Sequence, residues 1–249
     1  MGAANIEWID LGLTGYDDAF AVQTKLHERR MDDEGPDTIL FQENFHIVTL
    51  GRWASAGNLR LPAETLEQRG VAVRDVSRGG DVTYHGPGQL VISPILKLEH
   101  YAPSAHEYMR RLEQVVINLL AGYGIQGHRV DGATGVWLGD NKIAAIGIAV
   151  NSGVTQHGVA INVSPNLSYF DYIIPCGLAD KGVTSMKREG CNATLADVRN
   201  SFLDEFSGIF GVTIARSAWL AERMNYAVGS DGPEVCRGSA GDHTEALAL

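Results

Sequence analysis

The chain has 249 residues, 45% hydrophobic and 20% charged, an ordinary soluble composition and enough length for one sizeable core. Its net charge of −10 argues against general nucleic-acid binding, which needs clustered Lys and Arg to neutralise phosphate. No apolar run is long enough for a membrane span, and the opening MGAANIEWIDLG has neither the basic nor the apolar region of a secretory leader.

In chain order, NIEWIDLG reads as a strand, followed by a helix from Thr14, with Asp17 three residues on as a capping-box-like start. DTILFQ and HIVTLGR read as two strands separated by a short loop. In LPAETLEQRG, Pro62 and acidic residues open a helix that Gly70 ends. The valine-rich VAVRDV reads as a buried strand running into the glycine-rich RGGDVTYHGPG, and QLVISPILKL as the strand after it. Ser104 and Glu107 form a capping box for a helix whose Tyr108, Leu112, Val115, Val116, Leu119, Leu120 and Tyr123 share one face; Gly122 and Gly124 close it. GVWLGDNKIAAIGIAV and VTQHGVAINV predict an antiparallel meander of three strands, turning first at Gly139-Asp140-Asn141. A last helix begins near Thr194, with Val198, Phe202, Phe206 and Ile209 inward. From Gly229 the composition loses periodicity and reads as a mobile tail (229–249) behind one domain of residues 1–228. Strands and helices without strict alternation indicate an α/β (α+β) fold, a mixed sheet flanked by helices.

The three cysteines, Cys176, Cys191 and Cys236, match no zinc spacing and leave one over from any pairing. Free thiols in a reducing cytoplasm follow, with no metal or cofactor implied. Cys176 stands apart. It follows an apolar run, with Pro175 before it and Gly177 after it, so a turn can project the thiol into a cleft where a backbone N–H meets an oxyanion. A thiol of ordinary pKa, about 8.5, needs a cation or base beside it, for which Lys142, His85 and His157 are candidates. Lys142 opens a strand whose Ala144, Ala145 and Gly147 leave room for an apolar ligand; otherwise it is a solvated hairpin lysine. His157 lies beside Gly158 and Ala160 and reads equally as a packing residue. The loop RGGDVTYHGPG fits neither phosphate-binding glycine template.

Taken together and in this order, RGGDVTYHGPGQ, GVWLGDNKIAAIG, QHGVAINV and IIPCGLADKGVTS resemble the lipoyl(octanoyl) transferases, from about residue 6 to about residue 215. The resemblance implies the fold of the biotin and lipoate protein ligase catalytic domains. It also implies transfer of an octanoyl group from octanoyl-acyl carrier protein to a lysine on lipoyl domains of 2-oxoacid dehydrogenases and the glycine cleavage H protein. It implies that Cys176 is the nucleophile and acyl carrier, and that Lys142 lowers its pKa. The acyl-binding wall it implies comprises Arg78, Gly79, Gly80 and Asp81, then Val82, Thr83, Tyr84 and His85, with Ala145, Ile146, Gly147, Gly158, Val159 and Ala160. Three rival readings stand beside it: an ATP-dependent ligase, a cysteine thioesterase with a histidine base, and a non-catalytic acyl-binding module. Because the enzyme and its expected partners are all acidic, docking falls to local cations, for which Arg52, Arg60, Lys181, Lys187 and Arg188 are the candidates.

Overall fold

Apolar alternation in NIEWIDLGLT produces strand β1 (Asn5–Thr14), and helix α1 (Tyr16–Met31) follows at once. The expected cap at Thr14 is not formed. Thr14 is the last strand residue, Gly15 occupies the N-cap without a side-chain hydrogen bond, and the start is left to the acidic first turn of Asp17 and Asp18. The computed structural model describes residues 5–174 and 181–217, and those up to Arg216 form one compact unit. Cys176, Cys236 and the 229–249 tail lie outside the described residues.

Strands β2 (Thr38–Asn44) and β3 (Ile47–Leu50) are adjacent in sequence yet belong to different sheets. β3 joins β4 (Ala72–Asp75) in parallel and β5 (Val82–His85) antiparallel, making a three-stranded sheet on which α2 (Ala63–Gln68) packs. β4 is the edge of this sheet, half-exposed to exposed, so the expectation that VAVRDV is buried fails. Val71 and Val73 pack into the small sheet's core, while Arg74 and Asp75 are exposed.

The larger sheet takes β6 (Gln89–Ile95) beside β2, then the meander β8 (Ala133–Leu138), β9 (Asn141–Asn151) and β10 (Val154–Asn162). With β7 (His128–Val130) and β12 (Thr213–Arg216) its order is β12-β1-β2-β6-β10-β9-β8-β7, and β11 (Gly182–Val183) adds to β9 in parallel. β1 runs parallel to both neighbours, whereas the pairs from β2 to β7 are antiparallel, which is the mixed sheet expected.

One face of this sheet carries α3 (Ala105–Gly122) and α4 (Leu195–Phe210). α3 buries the predicted stripe, Tyr108, Leu112, Val115, Val116, Leu119 and Leu120, each side chain contributing about 1.5–3 kcal/mol. Its N-terminus holds half the expected capping box: Ser104 accepts from Glu107 N, while the Glu107 carboxylate pairs with Arg111. The full box occurs on α4, where Thr194 and Asp197 satisfy each other's backbone N–H. Phe202 and Phe206 descend from α4 onto the sheet beside Phe41. The opposite face receives α1, whose Gln23 reaches Ser93 on β6 and the backbone N–H of His157 on β10.

A central strand containing a proline needs room. Pro94 of β6 has it because position 158, across the ladder, is glycine: a Cβ there would lie 2.7 Å from Pro94 Cδ and 2.4 Å from Ile92 O.

Candidate active site

Between the small sheet and the α1-side face of the large one lies a cavity of about 830 Å³. That is within the ~300–1,000 Å³ usual for ligand sites. One wall comes from β9 and β10, where Ala145, Gly147, Gly158 and Ala160 present almost no side chain. Facing it are the glycine loop from Arg78 to Asp81 and the strand from Val82 through Thr83 to His85. The glycines let two backbones meet. Gly79 N donates to Ile148 O at 2.9 Å, and a Cβ on Gly147 would stand 3.1 Å from Gly79 O and 3.3 Å from Arg78 Cδ. Arg78 ties the loop to β3, its Nη2 donating to Thr49 O (2.8 Å) and Thr49 Oγ1 (2.9 Å).

Lys142 borders this cavity and is only 6% exposed, so it is not the solvated hairpin lysine of the bland reading. Its direction depends on a bulge. Trp137 opposes Lys142 and Val136 opposes Ala144, which gives β9 one extra residue at that point. Simple alternation would send Lys142 to the face of Ala144 and Ile146, which pack into the core under α3 and α4. The bulge returns it to the face of Ala145 and Gly147. Gly135 then leaves space for its stem, since a Cβ there would lie 3.4 Å from Lys142 Cε, and the ammonium rests 4.7 Å from the Trp137 ring centroid.

Two histidines share the cavity. His157 adopts φ +58°, stacks on Phe20 of α1 and contacts the Ser77 hydroxyl through Nε2 at 3.0 Å. Burial, with Arg78 adding repulsion, lowers its pKa to about 3. His85 is lowered to about 4 by the same two causes, which its hydrogen bond to Gln89 only partly opposes. Both imidazoles are neutral at pH 7. Tyr16, also on the cavity, is raised to about 12 by burial, so its phenol keeps its proton.

The structure brings nearly all the expected wall together. Tyr84 is the exception: alternation along β5 turns it away from the cavity, into an aromatic cluster with His46, Tyr169 and Phe170, where its hydroxyl meets His46 Nδ1 at 2.7 Å. It is not a wall residue. Ile146 and Val159 border the cavity, but their side chains pack into the helical core, as does Ala144. Gln89 and Asn162, each quoted within a motif as HGPGQ and VAINV, line the cavity and were missed; polar residues in strands invite the packing reading unless a buried polar row is foreseen. Among the docking cations, Arg52 borders the main cavity, and Arg60, Lys181 and Arg188 border a second of about 340 Å³; Lys187 borders neither. Cys191 is half-buried against the helical core and is not a wall residue. Among the described residues no cluster of His, Cys, Asp and Glu has metal-ligand geometry.

Comparison with known proteins agrees with this fold. Residues 15–207 match the family model of the lipoyl protein ligase A/B catalytic domain. A protein of Solibacter usitatus named octanoyltransferase is 45% identical over 211 residues, covering 85% of this chain and 96% of that protein. The octanoyltransferase of Rubrobacter xylanophilus is 45% identical over 203 residues, covering 80% and 91%. In fold, the chain is similar to Ta0514, a lipoate protein ligase homologue from T. acidophilum solved with bound lipoic acid (TM-score 0.69, 14% identity, 86% of this chain and 89% of that one). Lipoate-protein ligase A bound with ATP gives a TM-score of 0.66 at 14% identity, covering 86% and 88%. The chain belongs to the lipoyl protein ligase A/B catalytic-domain family and, within it, to the octanoyltransferases.

Proposed function

We propose that this acyltransferase takes the octanoyl group from octanoyl-acyl carrier protein, holds it as a thioester on Cys176, and passes it to a lysine of a lipoyl domain. The acceptors are the lipoyl domains of 2-oxoacid dehydrogenases and the glycine cleavage H protein, and the setting is the cytoplasm. One catalytic domain, residues 1–228, does this work. The observation that carries the reading is an ammonium, Lys142, buried in a wall otherwise built of Ala145, Gly147, Gly158 and Ala160. A buried ammonium favours the thiolate form of a cysteine brought beside it, and an acyl chain suits the small apolar wall.

The chemistry follows from the charges. Lys142 as ammonium favours the Cys176 thiolate, which attacks the thioester carbonyl. The leaving phosphopantetheine thiolate takes the proton from Lys142. The acyl-enzyme therefore faces a neutral Lys142, which accepts the proton when the acceptor amine attacks; ammonium and thiolate are then restored. At the rim, Trp53 is 76% exposed next to Arg52, an aromatic anchor with a cation suited to an acidic protein partner.

Intact-mass spectrometry tests the reading. Exposure to octanoyl-carrier protein should add one octanoyl group, lost in Cys176→Ser and discharged when a lipoyl domain is added. Steady release of free octanoate would indicate a thioesterase, and loading of free octanoate only with ATP, unaffected by Cys176→Ser, would indicate a ligase. Lys142→Ala should move the alkylation-versus-pH curve of Cys176 to higher pH; an unmoved curve refutes the pairing.

A further inference from the structure

The wall between Lys142 and the glycine loop carries a row of buried amides that the transfer chemistry has not yet used. Thr184, whose N–H donates to Lys142 O at 3.0 Å, offers its own carbonyl to Asn162 Nδ2 at 2.9 Å. Asn162 Oδ1 receives Gln89 Nε2 at 2.9 Å, and the same Nε2 donates to Tyr84 O at 3.1 Å. Gln89 Oε1 lies 3.1 Å from His85 Nδ1.

Backbone carbonyls only accept, so Thr184 O and Tyr84 O set the direction of the whole row. Asn162 must present Nδ2 to Thr184, which leaves Oδ1 for Gln89. Gln89 must present Nε2 to Asn162 and Tyr84, which leaves Oε1 for His85. Flipping either amide would bring oxygen against oxygen. His85 Nδ1 is therefore the protonated nitrogen. Burial and Arg78 keep the ring neutral, so Nε2 carries a lone pair. His85 is 8% exposed and borders the cavity, and its Nε2 has no hydrogen-bond partner among the described residues.

A fixed lone pair sorts the two halves of the reaction. It cannot stabilise an oxyanion, which needs a donor, and neither the acyl chain nor the thioester carbonyl has an N–H or O–H to give it. Only the acceptor lysine brings a donor to the reacting carbon. Resting on the transfer reading above, we propose that His85 Nε2 accepts a hydrogen bond from the incoming lysine amine and aims its nitrogen lone pair at the acyl-thioester.

The amine enters as free base, its ammonium proton left in solvent. As the C–N bond forms, its second N–H gives a proton to neutral Lys142. The C–S bond breaks, and the Cys176 thiolate re-forms beside the Lys142 ammonium. His85 keeps its Nδ1 proton throughout. It touches substrate in the second half-reaction, and Gln89, Asn162 and Thr184 act through it as positioning residues.

The test separates the half-reactions. In His85→Asn the amide can still reach Gln89 Oε1, but nothing replaces Nε2. Acylation by octanoyl-carrier protein and discharge to a lipoyl domain are followed by intact mass in single turnovers. Discharge should fall roughly 10- to 100-fold more than acylation does, as expected when an amine loses its orienting acceptor. Equal losses in both steps, or discharge at the wild-type rate, overturn the proposal. A second measurement needs no variant: ¹⁵N NMR of the wild-type enzyme at pH 7 should show His85 protonated on Nδ1 and bare on Nε2, and the opposite tautomer overturns the proposal as well. If the wild-type enzyme forms no acyl adduct, the transfer reading fails and this role with it, while the tautomer result still judges the amide row.

Discussion

Acidification should cost this protein stability chiefly through two buried histidines. His85 and His157 are each about 8% exposed, with native pKa values near 4 and 3, against about 6.5 in an unfolded chain. Between about pH 6.5 and 4.5 the unfolded state therefore binds protons that the native state refuses. Stability is full above about pH 6.5 and falls as the pH drops towards the native values. Each histidine adds a slope of up to ~1.4 kcal/mol per pH unit, so the pair can remove on the order of 5 kcal/mol by pH 4.5, a large share of a typical ~5–15 kcal/mol. Exposed Asp33, Asp140 and Asp197, whose pKa values lie below the usual carboxylate range, act at lower pH. The perturbation is His157→Asn. Asparagine tolerates the φ of +58° at this position, where most side chains are strained, and it does not titrate here. The variant loses the Phe20 stack and so starts lower at pH 7.5; the slope is the quantity to read. Urea unfolding from pH 7.5 to 4.5 should give His157→Asn a dependence shallower by about one proton. An unchanged slope, or a native His157 imidazole titrating near 6.5, would refute the assignment of the acid sensitivity to these rings.

Two further substitutions probe the frame of the site. Gly158→Ala would set a Cβ 2.4 Å from Ile92 O, on a central strand that cannot retreat, and should cost about 3 kcal/mol, lowering Tm by ~6–12 °C. A Tm within 1–2 °C of wild type, on the order of experimental scatter, would show that β6 yields there. Tyr84→Phe removes the hydroxyl contact with His46, away from the cavity, so stability should drop by about 1 kcal/mol with the transfer rate within about twofold of wild type. A hundredfold rate loss, on the scale of a lost catalytic group, would return Tyr84 to the wall.

What the sequence by itself determined is local. The six-residue apolar stripe of α3, the start of α4 near Thr194 and the hairpin turn at Gly139-Asp140 are legible because periodicity and turn chemistry act within a few residues. Four motifs in one order were enough to indicate the family, since they concentrate glycine, histidine, lysine and cysteine in short segments. Thr14 failed as a cap because a strand ladder, Thr14 against Asn44, holds it extended, and no local signal announces that partner.

Only the tertiary structure decided which surfaces meet. β2 and β3 share a sequence neighbourhood but pair with residues in different sheets, and β4 is an edge because, among the described residues, β3 is the only strand paired with it. Whether Tyr84 or His85 faces the cavity depends on which side of β5 the large sheet lies, which a period of two cannot state. A single extra residue at the β9 bulge turns Lys142 into the cavity, and a row of amides anchored on two carbonyls chooses the tautomer of His85. Pairing and hydrogen-bond direction are set across dozens of residues of chain, by partners that come together only when the sheets close.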